Sequence, residues 1–200
     1  MTEQQPNSDL DRRRNIVIAG HTGDVDTARA ALGDTDPVMR ELALGALHRL
    51  GALRADQLSS MVSDSDRNVR RRVAELAANE PEVDLMPLLN DDDPMVVEVA
   101  IWACGEHVTV TDAVLERIIA LTTTDEDPLV REAGAAALGA IGDERGLDAI
   151  LIACTDKPAV RRRAVLALAP FEGDRVEAAI DAALTDRDWQ VRQAAEDLRR

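Results

Sequence analysis

Three histidines, His21, His48 and His107, are the obvious carriers of acid–base or metal chemistry in this chain. Their surroundings argue against it. His48 is followed by Arg49, and His107 follows a lone Glu106. A metal centre needs several convergent ligands, so solvated loop or cap histidines are expected. Nucleophilic catalysis needs an activated Ser, Cys or Thr beside a base. Ser59 and Ser60 have no histidine in their sequence context, and Thr122–Thr124 reads as a helix end. Gly20, Gly33 and Gly51 are isolated and read as helix stops rather than a phosphate loop. Cys104 and Cys154 lie among Ala, Ile or Trp without a Cys-x-x-Cys pattern. Small buried thiols of a reducing compartment are expected. No catalytic, metal or cofactor site follows from these residues, and a non-enzyme is expected.

Charge is the stronger signal. The formal net charge is −15 and the sequence pI about 4.5, which repels a phosphate backbone unless a local basic patch overrides it. Three arginine runs could form such a patch: Arg12–Arg14, Arg70–Arg72 and Arg161–Arg163. Flanking Asp and Glu neutralise much of their field, so nucleic acid is disfavoured as a partner. Trp102 falls in an Ala/Ile/Cys stripe and reads as core, whereas Trp189 opens a helix. The first residues lack an apolar leader segment, and no run is long enough to span a bilayer. A soluble cytoplasmic chain without membrane contact is expected.

The elements that would hold these residues repeat. A phrase of two acids around one residue, often Pro, then an apolar residue and Arg, begins at Asp34, Asp64, Asp91, Asp125 and Asp186. A weaker copy, TDKPAVRRRAVLAL, begins at Thr155. The residue after the second acid recurs every 27 to 34 positions: Pro37, Arg67, Pro94, Pro128, Pro158 and Trp189. Asp caps a helix N-terminus, and Pro fits its first position. Apolar residues then follow on one face, as in Val130, Gly134, Ala137 and Leu138. Shorter amphipathic segments lie between: DVDTARAAL, ADQLSSMV, EVDLMPLL, TDAVLERIIAL, LDAILIAC and RVEAAIDAAL. Aromatic poverty (no Tyr, one Phe, two Trp) suits thin stacks of closely packed helices. With a leading helix near 9–19, the pattern predicts seven Asp-led A helices and six shorter B helices. NIVIA at 15–19 is the one run that could also be a strand. Residues 1–8 are expected to be a disordered tail, and 9–200 one repeat domain.

The phrase DxDPxVRxxAxxAL followed by a short second helix resembles HEAT-like repeats of the type also seen in phycobilisome lyases. The resemblance implies an all-α, right-handed solenoid of about six and a half helix pairs. It also implies an Asp–Arg ladder along the stack, each rung crossing to the next unit. By this resemblance the acids would be Asp36, Asp66, Asp93, Asp127 and Asp188, and the arginines Arg40, Arg70, Arg131, Arg161 and Arg192. Val97 stands in place of the third Arg and Lys157 in place of the fifth Asp, which puts uniform curvature in doubt there. Related proteins include scaffolds, bilin lyases, a di-iron hydroxylase and DNA glycosylases. The paired His-Glu dipeptides of the hydroxylases are absent here.

Stacked repeats offer an extended surface, and in such a stack the second helices line the concave side. Acids dominate those segments: Asp26, Asp56, Asp84, Asp112, Glu116, Asp148 and Asp181. The expectation is therefore a non-catalytic scaffold that binds another protein, or a basic segment of one, on the concave B-helix face. Two alternatives stay open: a nucleic-acid or DNA-repair protein using the arginine clusters, and a bilin-lyase-like or other enzyme-associated subunit.

Overall fold

The computed structural model describes residues 9–200. The expected tail at 1–8 lies outside the described residues. Thirteen α-helices and two short 3-10 turns make up the described residues, which contain no strand. The A helices are α1 (Asp9–Thr22), α3 (Pro37–Arg49), α5 (Arg67–Ala77), α7 (Pro94–Glu106), α9 (Pro128–Ile141), α11 (Pro158–Ala167) and α13 (Trp189–Leu198). The B helices are α2 (Val25–Ala30), α4 (Ala55–Ser59), α6 (Met86–Leu89), α8 (Asp112–Thr124), α10 (Leu147–Ala153) and α12 (Asp174–Ala183). NIVIA is helical, inside α1.

The acidic phrase starts the A helices from α3 onward for a local reason. Asp36, Asp66, Asp93, Asp127 and Asp188 occupy N-cap positions, and each carboxylate accepts the N–H of the residue two places on. That satisfies one of the donors a helix leaves open at its start. Lys157, at the same position before α11, makes no side-chain cap bond. Gly142, with φ near 67°, closes α9 in the left-handed conformation. Two B helices are shorter than the amphipathic pattern predicts: α4 is one turn, and α6 has four residues. Asp84 consequently lies in the turn ahead of α6 and not on a helix.

The chain packs as two compact units, one ending at Asp84 and the other running from Leu85 to Arg200. In the first, Ile16, Ala28, Met39, Ala43 and Leu47 form a core between α1, α2 and α3. In the second, Ile101, Leu115, Ile118, Leu138, Ile150 and Leu168 are fully buried between the A and B layers. Small residues set the spacing of neighbouring A helices. A Cβ at Gly105 would stand 3.2 Å from the Ala137 Cα, and one at Gly139 only 2.7 Å from the Ala167 Cα. Gly20 plays the same part opposite Ala46; it is buried inside α1 and does not stop a helix.

Candidate functional site

Arginine forks join consecutive repeats. Arg40 Nε and Nη2 donate to the two carboxylate oxygens of Asp64 at 2.8 and 2.6 Å. Arg131 does the same to Asp156 at 2.5 and 2.8 Å, and Arg161 to Asp186 at 2.9 and 2.7 Å. Arg12 reaches Asp34 in the first unit. The third nitrogen turns back. Nη1 of Arg40, Arg70, Arg131, Arg161 and Arg192 donates to the carbonyls of Asp34, Asp64, Asp125, Asp156 and Asp186.

At the Arg40, Arg131 and Arg161 rungs the acid is thus not the one the resemblance implied. Asp66, Asp93, Asp127 and Asp188 spend their cap oxygen on a helix N–H, and so does Asp36, which also lies 3.7 Å from Arg13. At Asp34, Asp64 and Asp186 the acid two residues earlier takes the arginine. Its remaining bond is local: Asp64 and Asp186 also accept the N–H two residues on. Near Lys157 the phrase reads Thr-Asp-Lys, and the middle residue, Asp156, supplies the carboxylate. The rung survives where a break was expected. At Val97, which is buried, no guanidinium is available to cross to Asp125.

These bonds hold the carboxylates in their charged form. Asp156 and Asp186 sit below the ordinary aspartate range chiefly because of the fork of Arg131 or Arg161, with burial opposing. For Asp64 burial is the largest single influence and raises its pKa, but Arg40 and the Asp66 N–H together outweigh it. Each rung arginine is correspondingly raised by its carboxylate.

On the B helices the predicted acids are exposed, and most are bridged. In the second unit Arg145 Nη1 donates to Asp112 at 2.8 Å, and Arg175 to Asp148 at 2.7 Å. Arg199 reaches both Glu177 and Asp181. Asp112 and Asp148 are thus each tied to an arginine of the following repeat, and Asp181 to Arg199 just beyond α13. Glu116, Glu144 and Asp174 are further exposed carboxylates in this unit. Arg145 also grips Asp143, whose carboxyl it pulls down to about 2. In the first unit Asp56 is held bidentately by Arg54, and Asp26 lies 3.6 Å from Arg29.

The A helices carry what sequence reasoning missed. A cleft of about 410 Å3 opens in the second unit, lined by Glu98, Trp102 and Glu106 of α7, Glu132, Ala133 and Ala136 of α9, and Arg163 of α11. Trp102 is 44% exposed and not core. The helical phase could have revealed this. Val97, Ala100, Ile101 and Cys104 form the buried stripe, and Trp102 falls between its turns. Trp189 is 64% exposed at the start of α13. Of the arginine runs, Arg161 is buried in a rung, while Arg162 and Arg163 approach Glu132 at 3.7 and 3.8 Å. Arg72 bonds Glu75 at 2.7 Å. Cys104 and Cys154 are free thiols, and burial pushes Cys154 up to about 11. Among the described residues, no group of three or more His, Cys, Asp or Glu could hold a metal ion. Nor is any described helix long and apolar enough to cross a membrane.

The architecture has clear relatives. Residues 82–169 match the family model for HEAT repeats. Similar solved structures include an engineered protein (20% identity, 88% of this chain and 96% of that one, TM-score 0.64). The Escherichia coli protein YibA is similar at 20% identity, over 98% and 75% of the chains, with TM-score 0.65. A designed armadillo repeat protein in complex with the peptide (KR)4 is similar at 16% identity, over 92% and 96%, with TM-score 0.57. No curated protein matches the sequence. At these identities the solved structures speak to the fold alone: an all-α repeat array, of which residues 82–169 match HEAT repeats.

Proposed function

We propose that the chain is a non-catalytic scaffold that takes a basic segment of a partner protein on the B-helix face of residues 85–200. The exposed carboxylates Asp112, Asp148 and Asp181 on successive B helices carry this reading. Like charges gathered on one face reinforce their potential. Their bridging arginines do not remove that potential, because Glu116, Glu144 and Asp174 add negative charge beside them. Exposed bridges of this kind contribute only about 0–1 kcal/mol, so an incoming cation can displace one cheaply. The arginine runs support the same reading over a phosphate ligand, because Arg12, Arg72 and Arg161 already meet carboxylates of this chain. A designed armadillo protein of similar fold accommodates a Lys/Arg peptide.

The test is a calorimetric titration with an alternating Lys–Arg octapeptide over a salt series. Binding is expected to weaken as the Debye length falls to about 8 Å near 0.15 M salt. The combined D112N, D148N and D181N variant, folded by circular dichroism, should bind more weakly and with a shallower salt dependence. Equal affinity and equal salt slope for parent and variant would reject the B-helix face as the binding surface.

A further inference from the structure

The α7–α9 cleft has a lining that the repeat does not require. Glu98, Trp102 and Glu106 are spaced four apart, so they share one face of α7. Glu132 faces them from α9, and Ala133 and Ala136 leave room between. Three carboxylates thus border one half-exposed indole and an apolar floor, with Arg163 in the lining and Arg162 also approaching Glu132. The first unit contains the corresponding cleft, between α1 and α3. There Val17 stands where Trp102 does, three residues before the glycine of the helix crossing. That cleft is only about 140 Å3, and Arg49 and Arg72 line it with Glu41. The same backbone arrangement thus carries opposite charge and no aromatic ring. Fold alone accounts for the cleft, but not for its acid–indole–acid wall.

We infer that the α7–α9 cleft receives a single lysine or arginine side chain from a partner protein. The cation lies against the Trp102 indole, and Glu98, Glu106 and Glu132 meet its charge. An indole face attracts a cation electrostatically, most strongly when partly desolvated. The alkyl stem of either residue suits the alanine floor, since such stems cover apolar surface while the charge stays at the rim. An anionic side chain would face three carboxylates. This site uses A-helix residues and does not depend on the B-helix reading above.

A W189F protein leaves Trp102 as the only indole, so its emission reports on the cleft. It is titrated with the alternating Lys–Arg octapeptide, and with a peptide carrying norleucine and citrulline in place of Lys and Arg. The basic peptide should give a saturable change and the neutral one none. Replacing Glu98, Glu106 and Glu132 together by Gln keeps the reporter and should weaken binding at least about tenfold. Trp102→Leu, followed by calorimetry, should lose roughly two- to thirtyfold, the range of a cation–π contact. The D112N, D148N and D181N changes should leave the Trp102 response in place, which separates this site from the B-helix face. An equal response to the neutral peptide, or an unchanged affinity in the triple Gln variant, would overturn the inference. So would an emission change that appears on raising protein concentration without peptide, because a second copy would then be the occupant.

Discussion

Arg131 and Arg161 share one acceptor residue, Asp156. Its carboxylate receives the Arg131 fork at 2.5 and 2.8 Å, while its carbonyl receives Arg161 Nη1 at 2.7 Å. Arg161 then passes its own fork to Asp186, whose carbonyl accepts Arg192. The chain of bonds runs from α9 through α11 to α13, and the guanidinium groups of Arg131 and Arg161 each tie two inter-helix turns together. Because each fork is bidentate and charge-assisted, it fixes orientation as well as distance. The ladder therefore sets how one repeat is placed on the next, while the alanine and glycine crossings set how closely they approach.

Removing a rung should cost far more than removing a surface arginine. Arg161 is 6% exposed. Arg161→Ala would leave the Asp186 carboxylate partly buried without its fork, a loss of about 3–5 kcal/mol. Arg163→Ala, two residues on, deletes only a distant approach to Glu132 and should cost about 0.5 kcal/mol or less. Urea titrations of both variants decide the matter through their midpoints at constant m. Equal midpoints would mean that the ladder does not carry stability.

The ladder also predicts an acid-sensitive fold. Asp156 and Asp186 have folded pKa values below the unfolded value of about 3.9. Between the folded and unfolded values the unfolded chain binds more protons, so stability rises with pH there. Their contribution is fully present above about pH 4 and is lost as pH falls through the depressed folded values. Arg131→Ala removes the main cause of the Asp156 shift, so its stability should change less steeply below pH 4 than the parent's. Asp143 gives a direct reading. Its carboxyl should titrate near 2 by NMR and return toward the ordinary value in Arg145→Ala. Parallel pH profiles for parent and Arg131→Ala, or an Asp143 midpoint near 4, would contradict the assignments.

Much of this architecture is legible in the sequence because caps and core phase are local. The second acid of each phrase marks the N-cap wherever an Asp is present, and the apolar positions after it are the buried ones. The division of labour between the two acids is not legible. Both are invariant in type across Asp34/Asp36, Asp64/Asp66 and Asp125/Asp127, and only the chain path shows which oxygen reaches a helix N–H and which faces the previous repeat. Asp156 was missed for the same reason, since the rung there moves by one residue. Charge counting put acids on the B segments, although Asp84 falls ahead of α6, and could not show Arg145 and Arg175 crossing to Asp112 and Asp148. Those pairs are 33 and 27 residues apart, beyond any helical spacing. Trp102 was misassigned because its neighbours are apolar, although its phase puts it outside the stripe.

Lys157 is the one N-cap before an A helix that the repeat fills poorly. Its backbone has the extended conformation usual at this position, φ −64° and ψ 155°. At Asp127, with φ −83° and ψ 120°, the same geometry brings a side-chain oxygen to the N–H of Leu129 at 2.9 Å. Asn at position 157 could make the corresponding bond to the N–H of Ala159. Asn is the better test than Asp, because a new carboxylate beside Asp156 would add repulsion next to a rung. The Lys157 ammonium charge also helps hold Asp156 in its charged form, though less than the Arg131 fork or the Lys157 backbone N–H does. Losing that help offsets part of the gain. A cap is worth about 0.5–2 kcal/mol over a residue that cannot form one, so the net for Lys157→Asn should be a stabilisation of about 1 kcal/mol. For a chain of this length that corresponds to roughly 2–4 °C in Tm. Calorimetric melting of the two proteins at neutral pH gives the answer. A lower Tm for Lys157→Asn would show that the lysine's charge beside Asp156 matters more than the missing cap.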